Sequence, residues 1–349
     1  MKILHITKAL DVGGAQRLIS DLLPLMKQGH EVGLLLFMED DTPFIRKVRE
    51  AGIDVIFMKV SLRNPVSVWR LHKVMRQYDV VHVHLFPELY LGALAAMGTK
   101  VNLVFTEHST SNRRRGKWYL RPLEKWVYHR YRKIISISQQ TQDALMDWVQ
   151  AKKDDKRFVV IENGIDVAAF RRVEKKRLSD GRCNIVMVSR FVEAKDQATV
   201  IRSMQHLDDS YHLHFVGDGS TMPNCQQLVA EMGLSERVSF LGSRADIPNV
   251  LSTMDIGVQS SHWEGFGLTA VELMAAGLPV VATDVPGLRQ VVEGAGLLFA
   301  VGDDKQLAEN IKALATDAHY YDQVSASCVE RASQYDISVT AKRYLDVYN

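Results

Sequence analysis

Short runs of β-branched and aliphatic residues recur along the first half of the chain, at 2–7, 32–38, 55–60, 80–86, 103–107, 133–138 and 158–161, and each reads as a strand. Between them, at 15–28, 43–51, 66–77, 89–97, 122–132 and 141–149, apolar residues fall three and four apart, the spacing of a helix with one buried face. Strands that alternate with helices predict a parallel sheet covered on both sides. The pattern breaks over 171–184, where polar residues with Ser179, Asp180 and Gly181 read as a linker. It then restarts, with strands at 185–188, 212–216, 238–241, 256–259 and 279–282. The helices of this half are expected at 197–206, 225–232, 246–254, 268–276, 288–293, 306–316 and 320–333. No period of 20–50 residues recurs, so a solenoid is not indicated. The expected fold class is α/β: two doubly wound Rossmann-like domains facing a cleft, with ligands held beyond the carboxyl ends of the strands.

Length agrees, since 349 residues at roughly 150 per domain give two. Hydrophobic residues at 46% and charged residues at 24% exclude a disordered or fibrous chain. Three scattered cysteines exclude a disulfide framework and fit a reducing, cytoplasmic setting. His5 and Lys8 interrupt the start before a signal-peptide core can form, and no apolar run approaches the roughly 18 residues that cross a bilayer. A formal net charge of +2 argues against a nucleic-acid partner held by bulk charge. The halves differ, however. Residues 1–170 hold 26 Lys+Arg against 18 Asp+Glu, a net of +8, and the remainder holds 17 against 23, a net of −6.

The candidate chemistry follows the strands. After the first strand, Gly13 and Gly14 precede a helix, where backbone N–H groups are open to an anion, although a bare Gly-Gly before a helix is more often a tight turn. After 185–188, Arg190 and Lys195 form a guanidinium and ammonium pair suited to a diphosphate, or a solvated pair at a helix entrance. After 256–259 comes His262-Trp263-Glu264-Gly265-Phe266-Gly267-Leu268-Thr269-Ala270-Val271-Glu272. Gly265 and Gly267 expose N–H groups before an apolar helix, and the carboxylates of Glu264 and Glu272 can each accept two hydrogen bonds from a sugar diol. His108 ends a strand of the first half. His82 and His84 share a strand face at a spacing that suits a metal, but no third ligand is apparent and a structural role is expected.

These motifs, in this order, resemble the retaining, nucleotide-sugar-dependent glycosyltransferases of family 4, which have the GT-B fold. The likeness runs through the Gly13-Gly14 loop, the 79–84 strand, Thr106-Glu107-His108, Ile135–Ser138, Glu162-Asn163-Gly164-Ile165-Asp166, Ser189-Arg190 with Lys195, and Glu264–Glu272; the paired glutamates are the specific element. The resemblance implies that Arg190 and Lys195 clamp the diphosphate and Glu272 holds the ribose. It implies that Glu264 and the backbone of Gly265, Phe266, Gly267, Leu268 and Thr269 hold the donor sugar and phosphate, and that Leu241-Gly242 receives the base. Gly13 and Gly14 would abut phosphate or acceptor, and His108 the transferring sugar. The domains would be 1–170 with a returning helix at about 336–349, for the acceptor, and 171–335, for the donor. A UDP-sugar is the favoured donor on family frequency. A glycan or lipid-linked molecule in bacterial cell-surface polysaccharide synthesis is the expected acceptor, and no metal or other cofactor is expected.

Other readings of the same architecture are a nucleotide-sugar epimerase, a glycan phosphorylase and a non-catalytic nucleotide-sugar-binding subunit. A nicotinamide enzyme would need a G-x-G-x-x-G motif that is missing. The excess positive charge concentrates in one segment, with Arg113, Arg114, Arg115, Lys117, Arg121, Lys125, Arg130, Arg132 and Lys133 against Glu124 alone. Trp118, Tyr119, Leu120, Trp126 and Tyr128 are interleaved with them. This is either a solvated basic face or a surface drawn to anionic lipid, peripheral on the inner face of the membrane.

Overall fold

The computed structural model describes residues 1–11, 13–62, 64–109, 114–171 and 182–349. It divides into two units, Met1–Gly164 with Ile337–Asn349, and Ile165–Asp336.

The first unit is built on seven parallel strands: β1 (Lys2–Thr7), β2 (Glu31–Leu36), β3 (Asp54–Phe57), β4 (Val80–His84), β5 (Asn102–Glu107), β6 (Lys133–Ser136) and β7 (Phe158–Val160). Their order is β3-β2-β1-β4-β5-β6-β7. Alternation divides the side chains between two cores: Leu4, Ile6, Val81, Val83 and Phe105 point to one face, and Ile3, Val80, Val104 and Ile135 to the other. The second face is covered by the helix Gly14–Lys27, through Leu18, Ile19, Leu22 and Met26, and by the last helix, Ile337–Tyr348, through Ala341, Tyr344 and Tyr348.

The second unit has six parallel strands: β8 (Cys183–Val188), β9 (Tyr211–Val216), β10 (Val238–Phe240), β11 (Ile256–Gln259), β12 (Val280–Thr283) and β13 (Leu297–Phe299), in the order β10-β9-β8-β11-β12-β13. The edge strand β13 is absent from the sequence expectation because its three residues follow Gly294-Ala295-Gly296 and read as loop. A Cβ at Gly296 would lie 2.5 Å from the Val280 carbonyl oxygen, so glycine lets this edge approach β12.

By packing, the first unit runs as far as Gly164, six residues short of the expected boundary at 170, since the short helix Val167–Arg171, with Val167 and Phe170 buried, packs on the helix Leu268–Ala275 of the second unit. The expected linker is also shorter than 171–184, since Arg171 closes that helix and Cys183 and Asn184 already belong to β8; residues 172–181 lie outside the described residues. Each sheet reverses its order once, between β1 and β4 and between β8 and β11, and at such reversals the flanking loops diverge and leave room for a ligand.

Candidate active site

In the second unit, the loops after β8 and β11 flank the reversal and are stitched together. His262 N–H donates to the Ala194 carbonyl at 2.9 Å, and the Ser260 hydroxyl donates to Asp196 Oδ2 at 3.2 Å. Asp196 also caps the helix Gln197–Ser203, its side chain accepting from Thr199 N–H. This stitching brings Lys195 and Glu264 together, 69 residues apart in sequence. Lys195 Nζ donates to Glu264 Oε2, and Gly265 N–H donates to Glu264 Oε1 at 3.2 Å. Both side chains are more than four-fifths buried, so their mutual neutralisation is only partly screened by solvent. A diphosphate arriving here would draw Lys195 away from Glu264. Arg190 is exposed and has no ion-pair partner among the described residues.

The backbone on both sides of Glu264 is fixed by packing. Phe266 is buried edge-on against Tyr335, with ring centroids 5.4 Å apart, so it anchors the loop through its ring and leaves only its backbone for a ligand. Gly267 caps the helix Leu268–Ala275 at φ 87°, a left-handed conformation that favours glycine. Leu268 and Thr269 open that helix half-buried, and Glu272 is buried within it. At the end of β10, Leu241 N–H donates to Phe215 O and Gly217 N–H to Gly242 O, tying the 241–242 backbone to the loop after β9.

In the first unit, Gly13 caps the helix Gly14–Lys27 at φ 155° without a side-chain cap, and both glycines are exposed. His108 follows β5 in a loop held by Glu107. That buried carboxylate accepts from Ser109 N–H at 3.2 Å, Arg115 Nη2 at 3.3 Å and Tyr128 Oη at 3.1 Å. Burial raises the Glu107 pKa, and Arg115 opposes the rise. His108 Nε2 lies 3.2 Å from His84 Nδ1, while its Nδ1 is buried with no hydrogen-bond partner among the described residues.

The third histidine missing from the sequence reading is His5, which β1 places directly opposite His82 of β4. His5, His82 and His84 bring ligand atoms within 4.8 Å of one another. Two of the three ring pairs are nearly parallel, at 16° for His5 with His84 and 19° for His82 with His84, while His5 and His82 are tilted by 34°. Each of the six ring nitrogens already has a hydrogen-bond neighbour. Burial lowers the pKa of His5 to about 3 and of His108 to about 4, and with neighbouring histidines it lowers His82 and His84 well below the usual value, so all four are neutral near pH 7.

Two family models divide this chain between them: "Glycosyltransferase Family 4" over residues 12–169 and "Glycosyl transferases group 1" over 170–334. The chain belongs to the family 4 glycosyltransferases. The lipopolysaccharide core biosynthesis mannosyltransferase LpsB of Rhizobium meliloti is 28% identical over 81% of this chain and 79% of its own length. The UDP-Gal:alpha-D-GlcNAc-diphosphoundecaprenol alpha-1,3-galactosyltransferase of Escherichia coli is 25% identical over 100% of this chain and 96% of its own. Among solved structures, Anabaena HepE in complex with UDP matches with a TM-score of 0.84 at 23% identity, covering 99% of both chains, and this likeness supports the GT-B fold.

Three glycines of this glycosyltransferase escaped the sequence reading. A Cβ at Gly287 would lie 2.3 Å from the Glu264 carbonyl oxygen, so the helix Pro286–Val292 presses on the Glu264 loop where only glycine fits. Cβ atoms at Gly217 and Gly219 would lie 1.9 Å from Ser189 O and 2.3 Å from Phe191 O, which sets the path of the Arg190 loop. Their signal was the Val-Gly-Asp-Gly run at the end of β9.

The basic segment also differs from expectation. Arg113 lies outside the described residues, and Arg114 and Arg115 turn inward to the buried Glu124 and Glu107. Glu124 also accepts from Tyr90 Oη at 2.5 Å and Trp148 Nε1 at 2.6 Å, so it is a packing hub rather than a surface counter-charge. What remains outside is a set of exposed apolar residues, Trp118, Tyr119, Leu123 and Trp126, with Lys117, Lys125, Arg130 and Arg132 exposed among them.

Proposed function

We propose that this glycosyltransferase moves a hexose or N-acetylhexosamine from a nucleotide diphosphate sugar, with UDP-sugar favoured, to a glycan or lipid-linked acceptor, retaining the anomeric configuration, in bacterial cell-surface polysaccharide synthesis. The observation that carries the reading is the Lys195–Glu264 pair beside exposed Arg190 at the reversal of the second sheet. Two cations for the diphosphate and a carboxylate for sugar hydroxyls suit a sugar nucleotide. Glu272 then takes the ribose, Leu241-Gly242 the base, and the first unit the acceptor, with Gly13 and Gly14 beside the phosphate or acceptor and His108 beside the transferred sugar. The HepE complexes with UDP and glucose and the UDP-Gal donor of the Escherichia coli relative support the choice of nucleotide.

In the proposed step, the bond from the anomeric carbon to the phosphate oxygen breaks as the acceptor oxygen bonds the same face. The departing diphosphate takes the acceptor proton, while Arg190 and Lys195 stabilise its growing charge. With cations already supplied by the chain, no resident metal is assigned. Calorimetry with a panel of nucleoside diphosphates and their sugars tests the donor, and NMR of the product tests the anomer. Preference for another nucleotide overturns the UDP assignment, and an inverted product overturns retention.

The exposed set of Trp118, Tyr119, Leu123 and Trp126 among lysines and arginines is assigned to an anionic membrane surface, where a lipid-linked acceptor would be met from the cytoplasmic side. No described helix is long and apolar enough to cross the bilayer, so the attachment proposed is peripheral. Sedimentation with vesicles of anionic lipid should show salt-sensitive binding that the pair Trp118→Ala and Trp126→Ala weakens. Absence of binding by the unaltered protein overturns the assignment.

A further inference from the structure

Three buried histidines and the half-buried His108 form a continuous chain of contacts that reaches the last helix. His108 Nε2 meets His84 Nδ1 at 3.2 Å, His84 Nε2 meets His5 Nδ1 at 2.9 Å, and His5 Nε2 meets the Tyr348 hydroxyl at 3.5 Å. Tyr348 Oη also meets His82 Nδ1 at 2.6 Å, and His82 Nε2 meets Thr106 Oγ1 at 2.7 Å. A neutral imidazole carries one proton, so fixing the direction of one bond fixes every bond along the chain.

The Tyr348–His82 contact sets that direction. At 2.6 Å it falls within the range of O–H donors and below that of N–H donors, so the phenol donates and His82 Nδ1 accepts. Burial raises the Tyr348 pKa well above its usual value, which keeps the hydroxyl protonated. With its only proton committed to His82, Tyr348 turns lone pairs towards His5, and only a protonated His5 Nε2 is compatible with them. His5 Nδ1 is then the acceptor for His84 Nε2–H, and His84 Nδ1 the acceptor for His108 Nε2–H. The chain ends on His108 Nδ1, the buried nitrogen that has no partner among the described residues.

We propose that Tyr348, acting through His5 and His84, fixes His108 in the Nε2–H tautomer and so leaves Nδ1 as a hydrogen-bond acceptor for a hydroxyl of the transferred sugar. The last clause rests on the sugar-site reading of His108 given above; the relay itself does not. Tyr348, His5 and His84 are positioning residues, and His108 is the group that would touch the substrate. The arrangement gives the last helix a role in the site beyond covering the sheet, because a shift of Tyr348 would release the tautomer of His108.

The test is long-range proton–nitrogen NMR on protein with ¹⁵N-labelled histidine, with the His108 signals assigned by their loss in His108→Gln. The unaltered protein should show His108 as a single Nε2–H tautomer. Tyr348→Phe removes the oxygen that orients the chain and should give averaged His108 signals from both tautomers. Turnover should fall about three- to tenfold, the factor one neutral hydrogen bond carries, with donor KM unchanged. Tyr344→Phe, on the same buried helix and bonded among the described residues to Thr106 alone, at 3.4 Å, should change neither readout. Should Tyr348→Phe not fold, His5→Leu cuts the same route from β1 and must give the same mixture. An Nδ1–H His108 in the unaltered protein, or a pure tautomer in the cut variants, overturns the relay. A mixed tautomer with undiminished turnover leaves the relay standing and overturns the sugar-site reading of His108.

Discussion

Replacing Glu88 by glutamine should make the first unit more stable at neutral and alkaline pH while leaving it unchanged below about pH 4.5. Glu88 opens the helix Glu88–Ala95 just after β4, at the reversal of the first sheet, and is fully buried. Neither carboxylate oxygen has a side-chain hydrogen-bond partner among the described residues; Lys8 supplies the nearby positive charge. Burial pushes the carboxyl from 4.5 up to about 7, while its own backbone N–H and Lys8 oppose the rise. Because the folded pKa is raised, the folded state holds a proton that the unfolded state has lost between these two values. Stability from this group is therefore present below about pH 4.5 and lost as pH rises through about 7. The gap between 4.5 and about 7, at about 1.4 kcal/mol per pH unit, makes the loss on the order of 3 kcal/mol above about pH 8. His5 and His108, with lowered pKa values, pull the other way, losing stability as pH falls below their ordinary 6.5. Only the difference between Glu88 and Glu88→Gln isolates the carboxylate. Urea unfolding in a Trp263→Phe background provides the assay, since the remaining tryptophans, Trp69, Trp118, Trp126 and Trp148, all lie in the first unit. A difference that stays constant with pH would refute the reasoning, because it would mean that Glu88 titrates alike folded and unfolded.

Lys195→Ala should lower turnover by about two orders of magnitude or more, the scale of removing one electrostatic stabiliser, as read by steady-state kinetics with a saturating donor. Near-normal turnover would remove Lys195 from the mechanism. Gly287→Ala forces its new methyl group into the Glu264 carbonyl and should cost about 100-fold in kcat/KM through displacement of the loop, with the circular dichroism spectrum unchanged. Arg115→Leu removes the ion-pair partner of buried Glu107, leaving it only the weaker influence of Arg114, and should destabilise the first unit by about 3 kcal/mol, measured in the same tryptophan background.

The sheet strands were legible because buried parallel strands are written as continuous apolar runs, and only β13, three residues after a glycine-rich turn, escaped. The motif residues could be placed after their strands because a parallel sheet turns all its carboxyl ends to one side. What sequence could not supply was pairing across the sheet. His5 completes the histidine cluster because β1 and β4 are neighbours at the reversal, an adjacency that no local pattern encodes. The Lys195–Glu264 pair has the same origin, through β8 and β11. Arg114 and Arg115 misled for the opposite reason: a run of basic residues looks like a solvated face until tertiary packing supplies buried acids for two of them.

The two reversals handle charge in contrasting ways, and the contrast bears on how each unit works. In the second, the Lys195 cation and the Glu264 carboxylate satisfy each other across the gap, so a diphosphate must break an existing bond before it gains a new one. That competition reduces affinity for a bare anion, which offers Lys195 a partner but leaves Glu264 without one. A sugar nucleotide offers both, a phosphate for Lys195 and hydroxyls for Glu264. On the donor-binding reading proposed above, the pair would favour the intact donor over free phosphate, and Glu264→Gln should narrow the ratio of donor to inorganic phosphate affinity, mainly by strengthening phosphate binding. If calorimetry shows phosphate binding unchanged in that variant, the ion pair is not what discriminates between the two ligands.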